Sequence, residues 1–153
     1  GPVDNRPLES RDDVLVFTTA PLTETVEVIG YVKMKLYVQS TTPHTDFFGR
    51  LCDVQPDGRS INICDGLVRL TPESWEGVDD GVLCIEVGLT ATAYRFLPGH
   101  RVRLQVSSGA HPRFNRNLGT DVMEIQGIRM RTADQTVYHD QERPSQLILP
   151  VVN

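Results

Sequence analysis

The densest set of chemically able side chains lies in Leu97–Asn117, LPGHRVRLQVSSGAHPRFNRN. Ser107 or Ser108 as nucleophile, His100 or His111 as base and Asp121 as orienting carboxylate would be the parts of an acyl-transfer triad. The setting such a serine needs is missing. No G-x-S-x-G elbow occurs, and nothing around the serines reads as the strand, turn and helix that would expose one. A triad is defined by geometry, and loops hold Ser, His and Asp often, so no catalytic residue is assigned. Metal chemistry is no better supplied. His44, His100, His111 and His139 lack the spacing of a zinc site, and Asp12, Asp13, Asp46 and Asp53 do not form a loop of calcium ligands, so no metal or other cofactor is expected. The stretch is better equipped for contact. Arg113 and Arg116 can fork onto carboxylates, Asn115 and Asn117 can cap carbonyls, and Phe114 can enter an apolar niche. Those groups either face a partner or satisfy one another within a long connection.

The elements that position this loop are strands. In the stretch itself, Val102, Leu104 and Val106 alternate with Arg101, Arg103 and Gln105 after a turn at Pro98-Gly99, which predicts a strand with one buried and one polar face. Upstream, Val32, Met34, Leu36 and Val38 alternate with Tyr31, Lys33, Lys35 and Tyr37 in a strand running to Ser40, with Gly30 marking a bulge or bend that can set Val26–Ile29 apart as its own strand. Pro56-Asp57-Gly58 predicts a hairpin turn between Asp46–Gln55 and Arg59–Cys64, with proline presetting φ and glycine taking the left-handed position. The first of these strands carries Phe47 and Leu51 on one face and Phe48, Cys52 and Val54 on the other, so it is either central and covered or touching another domain. Val14–Thr18, Val82–Ala93, Met123–Arg131, Thr136–His139 and Gln146–Leu149 read as further strands, the second with Leu83, Ile85, Val87, Leu89 and Ala91 on one face. Gly1–Asp12 reads as an extended lead-in, and Thr71–Trp75 as one helical turn with Trp75 covering a core edge. Many short strands between turns predict an all-β sandwich or barrel.

The same residues carry a resemblance. Gly1-Pro2-x-Asp4 with Arg6-Pro7, Asp13–Val16 with Pro21-Leu22, Thr45-Asp46-Phe47, Asp53-Val54-x-Pro56-Asp57-Gly58, Asp65-Gly66, Pro98–Arg101, Ser107-Ser108, Pro112-Arg113-Phe114, Arg116-Asn117, Pro144-Ser145 and Leu149-Pro150 follow one another as they do in the C-terminal β-sandwich of the X-Pro dipeptidyl-peptidase and cocaine esterase family of serine hydrolases. The chain resembles that domain over nearly its whole length, departing at Arg69–Glu73. The resemblance implies a single non-catalytic domain over residues 1–153, with a jelly-roll, galactose-binding-like fold. It implies that Ser, Asp and His of the active site belong to an α/β-hydrolase domain outside the chain. The domain would pack on that partner, shape substrate access and possess a subunit interface in a homo-oligomer. His100, Arg101, Ser108, His111, Arg113, Phe114, Arg116 and Asn117 are the docking candidates, with Pro56, Asp57, Gly58, Pro98 and Gly99 as structural turns.

Composition agrees with this frame. A formal net charge of −5 argues against nucleic acid as a general partner, and no apolar run approaches a membrane span. Lys33 and Lys35 are the only lysines, so positive charge is nearly all guanidinium, suited to fixed carboxylate pairs. Cys52, Cys64 and Cys84 lack metal spacing and are expected to be small buried thiols in a cytoplasmic protein; a bridge between Cys52 and Cys64 would need oxidising surroundings. A stand-alone carbohydrate-binding module is the alternative, with Tyr31, Tyr37, Trp75 and Tyr94 as candidate stacking platforms.

Overall fold

The computed structural model describes residues 1–111, 113–120 and 131–152. Two antiparallel sheets face one another. One has the order β1 (Val14–Thr18), β6 (Arg101–Ser107), β3 (Thr45–Val54), β4 (Ser60–Leu70). In the other, β5 (Leu83–Phe96), β2 (Val26–Ser40) and β7 (Gln135–Tyr138) are neighbours, and β8 (Gln146–Ile148) and β9 (Val151–Val152) also pair with β2. Inward side chains of both sheets form one core, including Val32, Met34 and Val38 of β2, Phe47 and Leu51 of β3 and Val106 of β6. The protein is an all-β sandwich, as the period-2 patterns predict. The strand expected at Met123–Arg131 falls almost wholly outside the described residues.

β3 is central and buried along both faces. Its hairpin with β4 closes through Pro56-Asp57-Gly58, where the Gly58 amide donates to the Gln55 carbonyl at 2.8 Å and Gly58 takes φ +88. At Pro98-Gly99 the glycine has φ +82 and donates to the Leu22 carbonyl at 2.8 Å.

Several expectations are corrected. β2 is one strand, not two. The register shifts between Tyr31 and Lys33, where Val32 faces both Leu89 and Thr90 of β5. That bulge reverses which side chains of β5 point inward, so Ala91 is exposed whereas Tyr94 and Phe96 turn toward the core. β4 runs on to Leu70, past Cys64, because its register with β3 continues from Leu51↔Cys64 to Thr45↔Leu70. Residues 1–12 are not simply extended: α1 (Arg6–Glu9) forms one helical turn with proline in its first turn. The expected turn after Thr71 is present as a 3-10 segment, Pro72–Trp75, and the half-buried Trp75 packs on the core while its indole N–H donates to the Pro43 carbonyl at 3.1 Å.

The thiols divide. All three are free, Cys52 and Cys64 buried but Cys84 exposed, because Cys84 alternates outward on β5 between Leu83 and Ile85. Burial pushes the Cys52 and Cys64 thiols up to about 12, so neither offers a thiolate at neutral pH. A neutral thiol reagent is therefore expected to label one cysteine rapidly, at Cys84, and the other two only at the rate of unfolding. Rapid native labelling of Cys52 or Cys64, read by mass spectrometry, would contradict the packing.

Candidate functional site

Outward side chains of the four-stranded sheet build the site. β3 presents Asp46, Phe48, Arg50 and Cys52 on this face, and the hairpin register sets Asp65 opposite Arg50 and Arg69 opposite Asp46. Two pieces of chain cover it, α1 from one side and the loop after β6 from the other. α1 is held by Glu9, whose side chain is 6% exposed and accepts from Ser60 Oγ and Arg103 Nη1, each at 2.5 Å, and from Gln105 Nε2 at 2.7 Å. A buried carboxylate persists only with such donors. Asn5, also buried, accepts from Arg50 Nη1 at 2.8 Å and donates to the Ser60 carbonyl at 3.2 Å. The N-terminal segment is thereby clipped across β3, β4 and β6.

The loop is pinned at three points. Arg113 Nε lies 2.7 Å from Asp65 Oδ1, which together with Arg50 Nη2 at 3.3 Å from Oδ2 brackets that carboxylate. Phe114 packs its ring 6.0 Å from that of Phe48. Asn117 Nδ2 donates to Asp46 Oδ1 at 2.7 Å, where Arg69 forks onto the same carboxylate at 2.9 and 2.8 Å and also donates to the Asn115 carbonyl. That fork raises the Arg69 pKa, so its guanidinium stays charged. Between α1 and the loop lies a cavity of about 600 Å³, walled by Leu8 and Arg11 on one side and Arg113 and Arg116 on the other, over Phe48 and Arg50. Arg50 Nε is buried there with no partner among the described residues.

Six docking candidates, Ser108, His111, Arg113, Phe114, Arg116 and Asn117, gather at this cavity. Ser108, His111 and Arg116 are exposed. His100 and Arg101 stand at the other end of β6, about 20 Å of strand away. Arg101 is exposed and donates to the Thr19 carbonyl at 3.2 Å. The His100 ring sets Nδ1 2.8 and 2.9 Å from the two Asp53 oxygens, and Tyr94 Oη donates to the same carboxylate at 2.8 Å. Asp53 is 1% exposed, so this trio bolts β3 and β6 of one sheet to β5 of the other. Asp121 and Pro112 lie outside the described residues, while Ser107 Oγ donates to the Gly109 carbonyl. Asp13, Asp46 and Asp53 are engaged with Arg11, Arg69 and His100 respectively.

Sequence reasoning missed Asn5, Glu9, Arg50, Asp65 and Arg69 as parts of the site. One signal was available: counted outward from Pro56-Asp57-Gly58 with one bulge residue allowed, the hairpin brings Arg50 to Asp65 and Asp46 to Arg69. The candidate sugar platforms do not assemble. Trp75 and Tyr94 are half-buried with their polar atoms committed, Tyr37 lies beneath Lys35, and only Tyr31 of the four is prominently exposed, at 73%.

Residues 3–148 match the model of the X-Pro dipeptidyl-peptidase C-terminal non-catalytic domain. The chain belongs to that family. It is 40% identical to the cocaine esterase of Rhodococcus sp. (strain MB1 Bresler) over 159 residues, covering 99% of this chain but 28% of the esterase. Among solved structures it is similar to an aminopeptidase from the marine sediment archaeon Thaumarchaeota archaeon, with a TM-score of 0.87 at 28% identity over 98% of this chain and 27% of that one. An alpha-amino acid ester hydrolase gives a TM-score of 0.86 at 28% identity, over 97% of this chain and 27% of the hydrolase. The chain thus spans under a third of the length of these relatives. Carbohydrate binding gains no support from them. Among the described residues, no helix is long and apolar enough to cross a membrane.

Proposed function

We propose that this domain braces the α/β-hydrolase catalytic domain of a serine hydrolase and shapes access to its active site. The names of the relatives, an esterase, an aminopeptidase and an amino acid ester hydrolase, support an intact protein that cleaves an ester or amide acyl bond through a serine acyl-enzyme. A cytoplasmic setting fits the three free thiols. A subunit contact in a homo-oligomer would suit the exposed Ile29, Tyr31, Ile148 and Val152 on the outer face of the β2 sheet.

One observation carries the reading. The 108–117 loop is fastened to its own sheet through Asn117, Phe114 and one side of Arg113, and still turns His111, Arg116 and the rest of Arg113 outward. Side chains held in place beneath and open above are suited to a preorganised contact. Within the domain, the Arg113 pair with Asp65 is half-exposed on the arginine side and worth no more than about 1 kcal/mol. In the intact enzyme Arg113→Ala is therefore expected to cost more, about 2 kcal/mol in thermal or chemical denaturation, because arginines at packed interfaces carry that much. Activity is expected to fall with it. Unchanged activity together with unchanged melting would overturn the docking role.

A further inference from the structure

We propose that the cavity between α1 and the 108–117 loop is a carboxylate receptor, and that its occupant is an acidic segment of the catalytic domain. This rests on the docking reading above and gives it a chemistry. The local charge runs against that of the whole chain. Asp13 and Asp46 line the cavity, Asp65 pairs with two of its arginines, and each carboxylate is already matched, Asp13 by Arg11, Asp46 by Arg69 and Asp65 by Arg50 and Arg113. Arg116 makes no ion pair among the described residues and is exposed at the rim. Beneath it, Arg50 keeps its buried Nε without a partner. A positive excess over a chain of net charge −5 therefore sits where a guanidinium fork can take a carboxylate. Phe48 and Phe114 offer an apolar wall for the stem of an acidic side chain. At about 600 Å³ the space exceeds one side chain and fits a short segment. The polypeptide also enters the sandwich on this face: Val3 and Asn5 bond along β4, and α1 then forms the cavity wall.

Lysine scarcity makes the test clean. Lys33 and Lys35, the only lysines of the domain, lie on β2 in the other sheet. In the intact enzyme, Arg116→Lys supplies one amine at the rim, and zero-length carbodiimide coupling joins an amine only to a carboxylate in contact. Lysine keeps the positive charge at the rim, so the variant is expected to fold as the wild type does. The expected result is a cross-linked peptide, absent from wild type, that joins position 116 to an aspartate or glutamate outside residues 1–153. Cross-links confined to Asp13, Asp46 or Asp65 would overturn the proposal, since the cavity would then be satisfied from within. Absence of any cross-link would overturn it also, and trypsin cleavage after Arg113 then separates the two readings. A loop resistant to cleavage leaves docking standing on other chemistry, whereas prompt cleavage removes both.

Discussion

Asp53→Ala is expected to destabilise the protein by about 3 kcal/mol, measured as a lower denaturant midpoint at unchanged slope. The carboxylate is 1% exposed and is the shared acceptor of Tyr94 Oη and the His100 ring. Its removal strands two donors between the sheets, and each buried donor without an acceptor costs about 1 to 3 kcal/mol. Asp53→Asn keeps one acceptor oxygen and is expected to lose less. A loss below about 1 kcal/mol for the alanine variant would mean that water or a neighbour replaces the carboxylate. The trio also has a pH signature. Burial, and then the Asp53 carboxylate, push the Tyr94 phenol above the ordinary tyrosine range. A phenol held protonated by the fold leaves stability unaffected below its unfolded pKa of about 10. Above that pH the unfolded chain gives up the proton first, so stability falls as pH rises, and Tyr94→Phe removes that part of the fall.

Gly66→Ala is expected to be at least as damaging, about 3 kcal/mol or more, although it adds one methyl group. A Cβ at Gly66 would stand 2.0 Å from the Gly88 carbonyl oxygen, 2.9 Å from its carbon and 3.1 Å from Leu89 Cα. All three are backbone atoms of β5, in the facing sheet, so no rotamer change makes room and the sheets must part. Gly49 provides the control. Its added Cβ would meet Met34 Cε and Sδ at 2.1 and 2.2 Å, the far end of a flexible side chain that can swing aside. Equal losses at the two glycines would contradict the close approach of β4 to β5.

What was legible in the sequence was whatever repeats with period 2 or turns on a local rule. Val32, Met34, Leu36 and Val38 announced β2, and Pro56-Asp57-Gly58 announced the hairpin, because each depends on neighbours within a few residues. The bulge at Leu89 and Thr90 left no such mark. Alternation in β5 runs smoothly through Ala91 on paper, and only pairing with β2 shows where the face reverses. Polar anchors were the least visible part. Glu9 reaches Arg103 across 94 positions and His100 reaches Asp53 across 47, distances at which composition carries no pairing information. The site loop shows both sides of this. Its capacity for carboxylate contacts was readable from Arg113, Arg116 and Asn117, but that Asp65 and Asp46 would receive two of them depended on the register of β3 with β4. Family membership was readable earlier than any of these contacts, because ordered blocks such as Asp65-Gly66 survive where pair geometry cannot be seen.

The central claim is that residues 108–117 form a contact with machinery outside this domain. Hydrogen exchange on the intact enzyme tests it within one molecule, by comparing that loop with the 77–81 turn, which is exposed or half-buried and lines no part of the cavity. Among the described residues the loop's backbone bonding is sparse, Phe114 to Ala110 being one bond, so its amides have little protection of their own. The account predicts that 108–117 exchanges at least tenfold more slowly than 77–81. Equal, fast exchange in both segments would contradict it.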